Sequence, residues 1–346
     1  LGISSMASVS LHGAFSRREN QKSMEIKLRA VLGNSQIIYP FFPDNESSTF
    51  RRLILRTSGQ DWRISKLRDA FMSEVVEGHL AVDTMDWRPC VLYVNGEYYG
   101  LYEVREKVDQ FYMAINHGTD PDNVDIIKGN AIVHEGDMLA YRALLQYVRT
   151  NDMRNETAYR YVLSQIDELS LMDWIIAQTF FNNLDSGNKK FWRERTDGAQ
   201  WRWVFFDLDW AMFPTTYTQN ILKYDLLHPD GHGQRRIFDS TLQVRLMENT
   251  EFRNMFIERY AELMNTVFLT DRMLSILDDM TEQIRSEIPG QVARWGGPIS
   301  VTAWEQNVAI LRRITSEKRD RMKIILRDTF NLSDDRMREL FPGEYP

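Results

Sequence analysis

Residues 170–213, SLMDWIIAQTFFNNLDSGNKKFWRERTDGAQWRWVFFDLDWAMF, constrain this chain most, and they read as helix, polar loop, hairpin and acidic turn. Ser170 with Asp173 three residues on predicts a capping box, and Leu171, Trp174, Ile175 and residues 178–181 continue the helix up to Asn182 and Asn183. Asp185, Ser186, Gly187 and Asn188 are too polar and glycine-broken to extend it. Residues 189–195 and 201–206 are rich in aromatics and flank a turn signal at 196–200, which predicts a β-hairpin. The second strand ends in Asp207, Leu208, Asp209. A hairpin's first strand begins beside the end of its second, so Asp185 and Asn188 should return next to Asp207 and Asp209. In extended chain the last two share a face, roughly 6–7 Å apart. Three carboxylates at one end repel each other unless a cation or a proton relieves them. Hard oxygen donors of this kind suit Mg²⁺ or Mn²⁺, with phosphate oxygens completing the shell.

An Asp in a loop, an Asn shortly after it, a short hairpin and then a metal-binding Asp is the order of parts in a kinase active site. The spacing is not that of the protein-kinase signature. Asn188 follows Asp185 more closely, no His-Arg precedes Asp185, and Leu208-Asp209 replaces Phe-Gly. A polar loop beside a capped strand end is the plainer alternative. NNLDSGNKKFW followed by WRWVFFDLDWAMF resembles the core of the CotH spore-coat-type atypical kinases.

The likeness extends along the chain, over about residues 8–330. Strands are predicted at 6–12 and 23–30, joined by a glycine-led basic loop of a kind that can lie over phosphates. This segment resembles the family's early Gly-x-Ser-Ser-Arg…Lys-Lys pattern through Gly13, Ser16, Arg17, Lys22 and Lys27, with Ala14-Phe15 as the departure. Lys27 reads as a strand-borne phosphate anchor or as an exposed edge-strand lysine. LILRTSGQDWRISKLRDAF, with Arg56, Asp61, Lys66 and Arg68, is similar to a further family segment, and these residues read equally as a salt-bridge network. A strand at 51–56 and a helix capped by Ser65 through about residue 80 are expected. Asn95-Gly96 between 89–94 and 97–104 is the clearest hairpin signal. The resemblance there includes Glu103, Arg105, Glu106 and Lys107. Gly100 inside the strand predicts a bulge or a close backbone approach, with the nucleotide as one candidate. A helix at 108–117 ended by Gly118 and a strand at 124–127 complete the N-terminal half.

Helices are expected at 136–149, 155–166, 240–247, 250–265, 271–288, 301–326 and 335–340, with a long loop at 214–235 carrying His228 and His232. That loop reads as a turn-rich lid or substrate platform better than as a metal site. The expected fold is α+β, with an antiparallel β-rich lobe (1–132) and a helical lobe (133–346) containing the 185–209 hairpin. The resemblance implies a bilobal protein-kinase-like arrangement, with a cleft near 129–135.

With 346 residues, 43% of them apolar, the chain can bury a large core, as one or two intimate domains. A net charge of −7 argues against a nucleic-acid partner. No apolar run approaches the roughly 18 residues of a membrane span. The lone Cys90 excludes an intrachain disulfide and a cysteine zinc site. The chain starts at Leu1 with neither Met nor leader and so carries no information on targeting. The resemblance implies an extracytoplasmic, cell-surface or spore-coat setting.

The expected chemistry is transfer of a phosphoryl group from ATP to Ser or Thr of a protein. Asp185 orients the acceptor hydroxyl and takes its proton. Asn188 and Asp207 hold Mg²⁺ or Mn²⁺, and Asp209 lies behind them or on a second metal. Gly13, Ser16, Arg17, Lys27, Lys66 and Glu106 contact the nucleotide. The rivals are a pseudokinase or coat structural protein, an Asp-x-Asp sugar-nucleotide transferase and a metal-dependent phosphoesterase.

Overall fold

The computed structural model describes residues 2–43, 47–129, 132–185, 188–223 and 240–344. The N-terminal half holds an antiparallel sheet of β1 (Ser8–Leu11), β2 (Met24–Lys27), β5 (Arg52–Arg56), β6 (Trp87–Val94) and β7 (Glu97–Glu106), in the order β1-β2-β5-β7-β6. A small ladder of β3 (Ile37–Ile38) and β4 (Thr49–Phe50) is inserted before β5. Asn95 and Gly96 both take left-handed φ values, 53° and 83°, as a primed hairpin turn requires. A second antiparallel sheet joins β8 (Val124–Lys128), β9 (Ile132–Glu135), β10 (Lys190–Glu194) and β11 (Arg202–Val204), in the order β11-β10-β8-β9. The predicted hairpin is thus present, and β8 pairs with its first strand. Strand β9 spans the expected division at residue 132, and residues 130 and 131 of the expected cleft lie outside the described residues.

Helix α1 (Arg68–Val76) follows β5, and α2 (Gln110–His117) follows β7 with Asp109 as its cap and Gly118, φ 69°, as its stop. Then come α3 (Leu139–Thr150), α4 (Glu156–Gln165) and α5 (Glu168–Phe180). The remaining described elements after β11 are helices, ending with Ile288–Trp295, Val301–Phe330 and Asp334–Leu340. The chain is therefore mixed α+β, with antiparallel sheets first and a mostly helical remainder.

Several local expectations change. Helix α5 is capped by Asp167, whose carboxylate accepts from Ser170 N at 3.0 Å, so Ser170 sits inside the first turn. Its hydroxyl accepts from Trp203 N instead, and Asp173 is buried against Arg259 at 2.8 Å. The pattern Ser-x-x-Asp was satisfied by tertiary partners rather than by the helix end. Ser65 likewise does not cap α1. Asp61, fully buried, accepts from the amides of Ser65, Leu67 and Arg68 at 3.0–3.2 Å and from the Arg68 guanidinium. The helix expected at 271–288 ends at Arg285, and Ile288–Trp295 forms a separate one. Of the loop expected at 214–235, residues 224–235, with His228 and His232, lie outside the described residues.

The core centres on α5, apolar around most of its circumference as a helix enclosed on all sides must be. Trp174, Phe180 and Phe181 pack with Phe191, Trp203, Phe205 and Phe268, and Phe180 stacks on Phe268 with centroids 4.0 Å apart. Helix Ile288–Trp295 docks on the bulge of β7. Gly100 has φ 130°, and a Cβ there would lie 2.7 Å from Trp295 Nε1 and 2.9 Å from Gln291 Oε1. The close approach expected at Gly100 is therefore made by this helix. Leu101 N donates to Gln291 Oε1 at 2.9 Å, and Trp295 Nε1 donates to Tyr99 O at 2.6 Å.

Candidate functional site

The acidic turn after β11 is built from both halves of the chain. Asp207 has a left-handed backbone, φ 61°, so the Asp207–Asp209 segment is not the extended strand end expected from the sequence. Asp tolerates this conformation better than most side chains, at some cost in strain. The two carboxylates converge because one guanidinium takes both: Arg56 Nη2 lies 2.8 Å from Asp207 Oδ1 and 3.3 Å from Asp209 Oδ2. Arg56 is the last residue of β5. Asp69, in the first turn of α1, completes the arrangement. Its carboxylate accepts from Leu208 N at 2.6 Å and from Arg105 at 2.6 Å, and lies 3.7 Å from Arg56 Nε.

The two aspartates differ in access. Asp209 is 1% exposed and accepts from Gln60 N at 2.8 Å. Gly59 makes this fit possible, since a Cβ at that position would lie 1.6 Å from Asp209 Oδ2. The Asp207 side chain is 22% exposed. Asp69, Asp207 and Asp209 all face the one Arg56 guanidinium, while Arg105 serves Asp69 and Glu103, so the turn is short of positive charge. Burial, and next the charge of Asp207, push Asp209 well above the usual carboxylate range. A proton or a divalent cation would meet that deficit.

Asn182, left-handed at φ 50°, ends α5 and is held by Lys318 and by the carbonyls of Thr216 and Gln219. Asp185 follows, with its N–H donating to Asn183 Oδ1. Asn188 Nδ2 donates to Asp185 Oδ2 at 2.8 Å. Residues 186 and 187 between them lie outside the described residues. The amide nitrogen of Asn188 is the half that Asp185 takes, which leaves the oxygen half for a cation. Among the described residues no three His, Cys, Asp or Glu side chains are grouped to hold a metal ion. Mg²⁺ with phosphate oxygens needs only one or two protein carboxylates, and the oxygen donors of Asp207 and Asn188 are of the kind it takes.

The other sequence-predicted residues are dispersed. Gly13, φ 99°, closes a short loop on Ser16, and Arg17 is exposed, its carbonyl accepting from Lys22. Lys27 pairs with Glu25 at 3.5 Å. Lys66 is 4% exposed, donates to Thr57 O at 3.3 Å, and burial pulls it down to about 8. Glu106 accepts from Asp86 N at 3.4 Å, and burial with the Asp86 charge pushes it up to about 8. Neither Lys66 nor Glu106 is hydrogen-bonded or ion-paired to Asp207. The sequence reading did not single out Asp69 or Gln60, whose partners in the acidic turn lie more than a hundred residues away, or Lys190, which reads as an ordinary strand lysine.

The family model described as CotH kinase protein matches residues 9–322. No curated protein matches the chain. Among the described residues, no helix is long and apolar enough to cross a membrane.

Proposed function

The chain belongs to the CotH kinase protein family, and from that premise we propose that it transfers the γ-phosphoryl group of ATP to Ser or Thr of a protein, at Asp185, Asn188 and Asp207. Membership of the family implies phosphotransferase activity and the use of ATP. The observation that carries the assignment to this site is the single buried Arg56 gathering Asp207 and Asp209 at the end of the hairpin that Asp185 and Asn188 precede. Asp185 accepts the hydroxyl proton of the acceptor and orients its oxygen. Asn188 and Asp207 would hold a divalent cation, which supplies charge neutralisation at the transferring phosphate. Asp209 stays behind them, keeping Arg56 and the turn in place. The Gly13, Ser16 and Arg17 loop and Lys27 face the nucleotide in this reading, while Lys66 and Glu106 shape the sheet beneath it. In chemistry of this class positioning and charge do nearly all the work. The β-rich N-terminal half and helical remainder support a bilobal kinase-like arrangement, and an extracytoplasmic setting is part of the proposal.

One observation favours a second reading, nucleotide binding without turnover: Arg56 already occupies an oxygen of Asp207. The two separate in an assay with γ-labelled ATP, Mg²⁺ or Mn²⁺ and a generic acceptor protein. Wild type should transfer label, while Asp185→Ala and Asp207→Ala should not. Normal turnover by Asp207→Ala overturns the site. No transfer by wild type, with ATP still raising its Tm, selects the second reading. Stabilisation by a sugar nucleotide and not by ATP selects a transferase.

A further inference from the structure

Phe206, the residue before Asp207, is flanked by lysines that the reading above leaves unused. Lys190 opens β10 and Lys128 closes β8, and the two are direct cross-strand partners. Both ammonium groups reach the same ring, with Lys190 Nζ 4.8 Å and Lys128 Nζ 5.5 Å from the Phe206 centroid. Lys190 is 7% exposed and donates to Val108 O at 2.9 Å. Among the described residues neither Lys190 nor Lys128 has an ion pair. Lys107, the neighbour of Val108, adds a third ammonium, and its Glu25 partner at 3.1 Å is shared with Lys27. Like charges directly opposed across strands are destabilising, and a buried ammonium with a single acceptor is costly. The charges act on their surroundings. Burial first and then Lys190, Lys128 and Lys107 push His134 down to about 4. His12, at the mouth of the Gly13 loop, is pushed down to about 3 by burial and then mainly by Lys107 and Arg56. An anion with several oxygens would relieve the whole group at once.

We propose that Lys107, Lys128 and Lys190 form a subsite for the phosphate groups of a polyphosphate ligand. The nucleoside part of that ligand rests on the phosphoryl-transfer reading, whereas the anion site does not. Ammonium groups on separate strands bind phosphate as point charges, without the planar geometry an arginine fork demands.

The test is calorimetric titration of the full chain in metal-free buffer with inorganic tripolyphosphate, ATP and adenosine. Wild type should bind tripolyphosphate and ATP. Lys128→Gln and Lys190→Gln should each weaken both by about tenfold to a hundredfold, with adenosine unaffected and Lys223→Gln, an exposed control, unchanged. If Lys190→Gln fails to fold, the half-buried Lys128→Gln carries the test. Unaltered binding in Lys128→Gln, or no tripolyphosphate binding by wild type, overturns the subsite. If label transfer from ATP persists in that case, the kinase reading survives it. If tripolyphosphate binding depends on the lysines while wild type neither prefers ATP nor transfers label, the subsite stands and the kinase reading falls.

Discussion

Replacing Arg56 with Met keeps most of the side-chain volume and removes the one charge that faces Asp69, Asp207 and Asp209. The consequences for the three carboxylates differ. Asp69 keeps Arg105 at 2.6 Å. Asp207 is exposed enough for water to reach it. Asp209 is left, among the described residues, with the N–H groups of Gln60, so the loss concentrates there. Breaking one side of a buried pair costs about 3–5 kcal/mol. Burial and Asp207 already raise Asp209 in the wild type, so proton uptake there offsets part of this loss. Arg56→Met is therefore predicted to lose up to about 3–5 kcal/mol at pH 7. The deficit should shrink as pH falls toward 4, because a carboxyl raised in the folded state binds a proton there before the unfolded chain does. Urea unfolding followed by tryptophan fluorescence, at pH 7 and pH 5, measures this. Asp209→Asn in the Arg56→Met background should restore at least about 1 kcal/mol, since the stranded charge is gone. Single losses that add to within about 0.5 kcal/mol would refute the coupling.

Three further outcomes are expected. Lys318, fully buried on Asn182 and Tyr217 O, is pulled down to about 7 by burial. Between about pH 7 and 10.5 the unfolded chain holds a proton there that the folded chain does not. Stability should therefore rise with pH in that window, by up to about 1.4 kcal/mol per unit from this group, and Lys318→Met should flatten the rise; equal slopes in both proteins exclude the effect. Asp61→Ala removes the acceptor of the Ser65, Leu67 and Arg68 amides and the partner of the Arg68 guanidinium, and should cost about 3–5 kcal/mol, read as a fall in Tm. Gly100→Ala meets Trp295 and Gln291 at a positive φ and should destabilise by about 1–3 kcal/mol, whereas a neutral effect would mean that the helix does not rest on the bulge.

What could be read from the sequence was local. Asn95-Gly96 fixes its turn within two residues, the 196–200 turn fixes the 185–209 hairpin, and Asn155, where the 155–166 helix was expected to begin, caps α4. What escaped was long-range. Arg56 and Asp207 are 151 residues apart, and Asp69 and Leu208 are 139 apart, with no pattern in the chain to mark either pair. The acidic turn itself was legible as composition, but its left-handed geometry was not. Asp207 is held in place by Asp69 and Arg56 from the other half, and local propensity alone would have left it extended. Ser170 and Ser65 show the same lesson in reverse, since each matches a cap pattern whose partner was supplied from elsewhere.

The docking of Ile288–Trp295 on β7 has a consequence for the nascent chain. Leu101 N and Tyr99 O find their partners 190 and 196 residues later. During synthesis the first sheet therefore waits, with its bulge open, until almost two hundred further residues have been made. A fragment ending at residue 132 would carry that opening permanently. The N-terminal half should then behave as an unfinished surface that needs its late helix supplied, in cis or as a separate peptide, before it stands alone.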